Sequence, residues 1–205
     1  MKFKICGITN LHDAQYAVSC GAWALGFNFH NHSPRSIGLN KARSIVDALK
    51  KPTKKIGIFV NTPLGTIMNT MDSVGLDFAQ VYGDFDAPSA EKKRIILAIQ
   101  PKCEEDILRY QDLDAYAHLL IDAPKVAGEP YGGTGRAANW EVASHLSKDY
   151  SVLLAGGLTP NNLTEAIEAV HPFAVDTASG VETLPGMKSN KLIRLFSEKC
   201  HNEKK

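Results

Sequence analysis

Eight short apolar runs, rich in Val, Ile, Leu or Phe, alternate with longer stretches of helical periodicity along almost the whole sequence. A strand that reads apolar throughout is buried on both faces, as in a parallel sheet covered by crossover helices. The runs fall at residues 2–6, 24–29, 55–60, 78–82, 94–99, 118–122, 152–155 and 173–176. Helices are expected at 11–20, 39–49, 63–72, 86–93, 104–110, 140–146, 160–170 and 188–199. Asn10 stands where an N-cap belongs, and Thr159-Pro160 supplies a cap followed by proline at the first helical position. The 86–93 and 104–110 segments have the poorest periodicity, the former interrupted by Ala87-Pro88.

Such an alternation closes into a barrel or opens into a doubly wound sheet, and counting strands does not separate the two. No G-x-G-x-x-G opens an early helix, whereas glycine-rich turns follow the last three strands. Both points favour an α/β fold of the eightfold β/α (TIM) barrel kind. A hydrophobic content of 44% and short loops suit one barrel domain over residues 1–205. Lys plus Arg is 23 against 22 for Asp plus Glu, and the only basic tail is Glu203-Lys204-Lys205. That near-neutral charge gives no footprint for nucleic acid or an anionic membrane. The expected partner is a small phosphorylated molecule, bound by a monomer or weak homodimer. Cysteines at 6, 20, 103 and 200 form no C-x-x-C, and the first residues lack the layout of a signal peptide, so a reducing cytoplasm is expected. No apolar run approaches the length of a membrane span.

In a parallel α/β fold, ligands bind at the carboxyl ends of the strands. Cys6 sits there, where the first strand opens into Gly7-Ile8-Thr9, and its thiol has three readings: nucleophile, base or small core residue. Three glycine clusters share that rim: Tyr131-Gly132-Gly133-Thr134-Gly135, Ala155-Gly156-Gly157-Leu158 and Ser179-Gly180-Val181. One cluster is often only a tight turn, but three together favour a phosphate cradle built from backbone N–H groups. Asp122 and Asp176 end the sixth and eighth strands, each as a general acid with a pKa raised by burial or as a loop cap. The position of Asp122 across the mouth from Cys6 favours the acid role. Arg35 follows a stiffening proline in Ser33-Pro34-Arg35, either to grip a carboxylate with its fork or to stand in solvent. His30-Asn31-His32 lacks a third ligand with suitable spacing, so no metal is expected. Trp140 and Phe27 read as packing residues, and Cys20, Cys103 and Cys200 as inert or surface thiols on helices.

With these residues in place, the sequence resembles the phosphoribosylanthranilate isomerase family of tryptophan biosynthesis nearly end to end. The carrying segments are KICGITN at 4–10, GFNFHNHSPRSI at 26–37, IGIFVN at 56–61, YGGTGRAANW at 131–140, LLAGGLTPNNL at 153–163 and PFAVDTASGVE at 172–182. The resemblance implies a TIM barrel that performs an Amadori rearrangement without a cofactor. It implies Asp122 as the general acid that opens the furanose ring and Cys6 as the base that removes the sugar C2 proton. Arg35 would hold the anthranilate carboxylate and Asp176 would orient the substrate amine. The backbone around Gly133, Gly156, Gly157, Ser179 and Gly180 would hold the phosphate.

Some positions depart from the family pattern. Tyr82, in QVYGD at 80–84, stands where Q-L-H-G-D is common, Ala178 removes a hydroxyl from the usual D-V-S-S-G, and Arg136 replaces a lysine. The 87–116 region matches poorly. Two other readings therefore stand beside the isomerase: the related sugar isomerisation of histidine biosynthesis, whose barrels pair two aspartates, and a drifted barrel that binds ligand without turnover.

Overall fold

The computed structural model describes residues 1–83, 85–124, 126 and 135–202. Eight parallel strands close into a barrel in sequence order. They are β1 (Lys2–Ile5), β2 (Ala24–Asn28), β3 (Lys54–Val60), β4 (Phe78–Tyr82), β5 (Ile95–Ile99), β6 (His118–Ile121), β7 (Val152–Leu154) and β8 (Ala174–Thr177). The ring shuts where β8 pairs with β1, from Lys2 opposite Ala174 to Ile5 opposite Thr177. Alternate side chains along each strand face opposite ways. Ala24, Ile56, Ile58, Ile96, Leu120 and Leu153 pack together inside the barrel. Phe3, Ile5, Leu25, Ile95, Leu97 and Val152 pack outward in the larger core under the helices. Apolar burial on both faces is why these strands read as unbroken apolar runs.

Helices α1 (Leu11–Ser19), α2 (Leu39–Ala48) and α3 (Leu64–Val74) lie within two residues of their expected ends. Asn10 caps α1 as expected, its Oδ1 accepting from the Asp13 N–H at 2.9 Å. The 86–93 segment shrinks to the single turn α4 (Ser89–Lys92), since Pro88 holds an extended backbone that starts the helix late. At 104–110 there is only a 3₁₀ turn, Glu104–Ile107, entered from an extended Cys103. Cys103 therefore lies exposed beside that turn and off any helix, while Cys20 is half-buried and Cys200 buried. Helix α5 (Trp140–Leu146) matches its expected range, and α6 (Leu163–Val170) begins three residues late. There the Thr159 N–H and hydroxyl donate to Asn162 Oδ1, and the Asn161 N–H donates to Thr159 Oγ1. These local bonds compete with a helical start, so the expected Thr159-Pro160 cap is replaced by a side-chain turn.

A further correction lies after β8. A 3₁₀ turn, Ser179–Val181, leads into an antiparallel hairpin of β9 (Glu182–Leu184) and β10 (Met187–Lys188), and only then does α7 (Asn190–Asn202) start. Lys188 thus ends a strand instead of opening a helix. Phe27 is fully buried and Trp140 partly so against the core. No helix among the described residues is long and apolar enough to cross a membrane.

The amino-terminal end of the barrel is shut by rings. His118 stacks on Phe173 at 4.8 Å between centroids, with Trp23 and Phe78 edge-on at 5.8 and 5.6 Å. Its Nδ1 meets Ser151 Oγ at 2.7 Å. Burial, helped by the Lys2 ammonium, lowers the His118 pKa from 6.5 to about 4. An unfolded histidine takes up its proton near 6.5, so this site loses stability as pH falls from there toward about 4. Replacing His118 by phenylalanine keeps the stack and removes the titration. Thermal midpoints measured across that window are expected to fall less in His118→Phe than in the parent; parallel curves would refute the assignment.

Candidate active site

The strand and loop ends at the opposite rim enclose one cavity. Cys6, Arg35, Asp122, Asp176, Gly156, Gly157 and Ser179 all border it, and Gly180 follows Ser179 in the 3₁₀ turn. Seven residues singled out from five separate segments of sequence thus meet in one place. Gly133, with its cluster at 131–134, lies outside the described residues, as does the basic tail at 203–205.

Cys6 continues β1, its N–H bonded to the Thr177 carbonyl at 2.9 Å. A Cβ on Gly26 of the neighbouring strand would lie 2.9 Å from its sulfur, so that glycine makes room for the thiol. Burial pushes the Cys6 thiol above its ordinary pKa, and the Asp176 carboxylate adds to this, against the pull of Lys4 and Lys188. Lys4 is fully buried two residues earlier on the same inward face. Its Nζ donates to Gln80 Oε1 and to Asp176 Oδ2, both at 2.9 Å. Burial alone would depress this lysine, but Asp176 overrides it and holds the ammonium above its ordinary pKa. The other oxygen of Asp176, Oδ1, is buried and meets no hydrogen-bond partner among the described residues. Sequence reasoning missed Lys4, although its parity with Cys6 on an inward-facing strand was a usable signal.

Across the mouth, Asp122 is 5% exposed. Its Oδ1 accepts from the Ala123 N–H at 2.8 Å and its Oδ2 from the Tyr82 hydroxyl at 2.9 Å. Gln80 Nε2 donates to that same hydroxyl at 3.0 Å, which orients the phenol proton toward Asp122. Burial raises the Asp122 pKa above the ordinary carboxyl value, against those two hydrogen bonds. Tyr82, at the family's histidine position, thus holds the candidate acid in place while favouring its carboxylate form. Its own phenol is pushed well up by burial and the Asp122 charge, so it remains a hydrogen-bond donor.

Arg35 is not a solvated loop residue: it is 8% exposed and held by Glu182. Its Nε and Nη2 donate to the carboxylate at 2.7–3.1 Å. That edge of the fork is taken, so the Nη1 side is the one left for a ligand. Lys188 Nζ also binds Glu182, at 2.7 Å, and donates to the carbonyls of Cys6 and Ala178. Against burial, Arg35 and Lys188 hold the Glu182 carboxyl below its usual pKa. Glu182 and Lys188 had no sequence signal, because an arginine and a glutamate 147 residues apart are paired only by the fold.

At the late loops, Gly156 and Gly157 have φ of +79° and +62°, where a side chain is strained. A Cβ on Gly180 would collide with the Leu158 carbonyl. The N–H groups of Gly156, Gly157, Ser179 and Gly180 donate to no group among the described residues. Such a rim of unsatisfied donors suits an anion. His30 and His32 rings lie 5.3 Å apart, and no group of three or more metal-binding side chains occurs among the described residues.

Comparison with known proteins agrees in sequence and shape. The sequence model of the N-(5'phosphoribosyl)anthranilate (PRA) isomerase family matches residues 3–199. The N-(5'-phosphoribosyl)anthranilate isomerase of Pelobacter propionicus is 43% identical, covering 96% of this chain and 93% of its own. The crystal structure of phosphoribosyl anthranilate isomerase from Thermotoga maritima superposes with a TM-score of 0.87 at 33% identity, covering 98% of this chain and 99% of its own. Another such isomerase, in complex with reduced 1-(o-carboxyphenylamino)-1-deoxyribulose 5-phosphate, gives 0.84 at 32%, covering 98% and 99%. This chain belongs to the N-(5'-phosphoribosyl)anthranilate isomerase family.

Proposed function

We propose that this chain catalyses the Amadori rearrangement of N-(5-phosphoribosyl)anthranilate to 1-(2-carboxyphenylamino)-1-deoxyribulose 5-phosphate in tryptophan biosynthesis, by general acid–base catalysis. The observation that carries this reading is the meeting of Cys6, Asp122, Arg35 and the late glycine loops around one cavity. The N–H groups of Gly156, Gly157, Ser179 and Gly180 take the phosphate, and the open side of Arg35 takes the anthranilate carboxylate. Gly133 is assigned to the phosphate by family resemblance alone. The unpartnered Oδ1 of Asp176 accepts the substrate amine N–H, which fixes the nitrogen attached to the reacting carbon.

With the substrate so held, Asp122 gives its proton to the ring oxygen while the C1–O bond breaks, leaving a Schiff base. Cys6, as thiolate, removes the C2 proton; the electron pair moves into the C1–C2 bond and neutralises the imine as an enolamine. Tautomerisation moves the hydroxyl proton to C1 and gives the ketone. Only protons change place, so the reaction calls for no cofactor.

The neutral charge balance and few exposed large apolar side chains, Leu108, Leu184 and Met187 foremost, suit a monomer or weak homodimer acting on a small molecule. Four cysteines outside any disulfide suit a reducing cytoplasm. The direct test follows the decay of anthranilate fluorescence as freshly made phosphoribosylanthranilate is consumed. Turnover proportional to protein concentration is expected. Binding of a phosphoribosyl ligand with no turnover would instead mark a non-catalytic barrel.

A further inference from the structure

Lys4 is a feature of this barrel that stability does not explain. Its side chain is completely buried among inward-facing residues that are otherwise mostly apolar on the layers below the mouth. Replacing a buried ion pair by apolar residues of similar volume is often neutral or stabilising, so a lysine–aspartate pair is a poor choice for a core. The pair is also incomplete as a structural device, since the buried Asp176 Oδ1 meets no hydrogen-bond partner among the described residues.

An ammonium has three N–H donors. Gln80 Oε1 and Asp176 Oδ2 take two, from β4 across the barrel interior and from β8 beside the strand that carries the lysine. The third is committed to no acceptor among the described residues, and Cys6 stands two residues along the same inward face, bordering the same cavity as Gln80 and Asp176. Lys188 also lies near Cys6, but Glu182 and the Cys6 and Ala178 carbonyls occupy its three donors. Among the other groups near the thiol, the Asp176 carboxylate opposes its ionisation, while the Tyr82 phenol stays neutral. Both ammonium charges favour the thiolate, and Lys4 is the one with a donor left to offer the sulfur.

We propose that Lys4 is the positioning residue of the proton-abstracting thiol: pinned by Gln80 and Asp176, its ammonium presents the third N–H to the Cys6 sulfur and, against burial, favours the thiolate facing the sugar C2. This rests on the reading of Cys6 as the base. Gln80 then has a double part, since its carbonyl anchors Lys4 while its amide orients Tyr82 toward Asp122. One glutamine thereby sets both the base and the acid.

The test is the pH dependence of Cys6 alkylation by iodoacetamide, read on the Cys6 peptide by mass spectrometry, because only the thiolate reacts and no turnover is needed. In Lys4→Met the midpoint is expected to rise by about one pH unit or more, and kcat at neutral pH to fall about tenfold per unit, with KM nearly unchanged. Gln80→Leu keeps every charge and frees the ammonium, so a smaller rise in the same direction is expected. If Lys4→Met does not fold, Gln80→Leu decides. An unmoved midpoint in the folded variants, with or without loss of activity, would leave Lys4 a structural counter-ion and overturn the proposal. Full turnover in Cys6→Ser would instead remove the base reading on which it rests, whatever the alkylation midpoints do.

Discussion

Asp122→Asn is expected to lower kcat by about 10²–10⁴-fold, the usual contribution of a positioned general acid, with KM changed by no more than about threefold. The amide has the shape of the carboxyl group and still accepts the Ala123 N–H, but it carries no proton for the ring oxygen. Burial raises the Asp122 pKa, so the proton is retained at a pH where an exposed carboxyl has lost it. The parent's acid function therefore fails as pH rises through that raised value, and the residual rate of the asparagine variant has no such limb. Stability moves the other way. A carboxyl whose folded pKa is raised contributes stability below its unfolded value and loses it as pH rises through the folded one. Asparagine removes this liability, so at pH 8 the variant is expected to melt no lower than the parent. Steady-state rates from the fluorescence decay, with thermal melts at the same pH, check both halves. A variant that kept the parent's kcat would end the assignment.

That trade between stability and activity also decides what the sequence could reveal. The strands were legible because barrel strands are apolar on both faces, and the rim glycines because positive φ at Gly156 and Gly157 and the close backbone of neighbouring loops leave no room for Cβ. Helix α4 and the 3₁₀ turn at Glu104–Ile107 were overcalled because polar stretches carry little period to set their ends. The β9–β10 hairpin was missed, though Pro185-Gly186 is a turn signal and Gly186 adopts φ of +81°. What could not be read at all were pairings across the fold. Arg35 was chosen for its chemistry, but Glu182, which takes one edge of its fork, follows from how the hairpin after β8 lies against the loop after β2. Tyr82 looked like a defect at a histidine position, and only its bond to Asp122 reveals a phenol that keeps the acid in place.

Cys6→Ser is expected to cost about 10²–10⁴-fold in kcat/KM, the loss coming in kcat. A serine hydroxyl at this site is a far weaker acid than the thiol, so the lysine field that stabilises a thiolate does not yield an alkoxide. The substitution removes little volume beside Gly26, and the backbone N–H bond to Thr177 is unaffected, so the fold is expected to survive. The pH profile carries the sharper prediction. Burial raises the Cys6 pKa above that of a free thiol, and the reaction needs the thiolate, so the parent's kcat/KM climbs with pH through neutrality. It also needs Asp122 protonated, and that requirement bends the curve down as pH rises. The productive arrangement, thiolate facing a protonated carboxyl, is thus one of two ways to place a single proton on the pair. The cations Lys4, Lys188 and Arg35 outnumber the anions Asp176 and Glu182 by one, which offsets part of the burial that raises both pKa values. The limbs of the bell belong to the pair and not to either residue. In Cys6→Ser the rising limb is expected to move beyond the working range, leaving a residual rate that only declines. A serine variant with the parent's rising limb intact would mean that some other group takes the C2 proton.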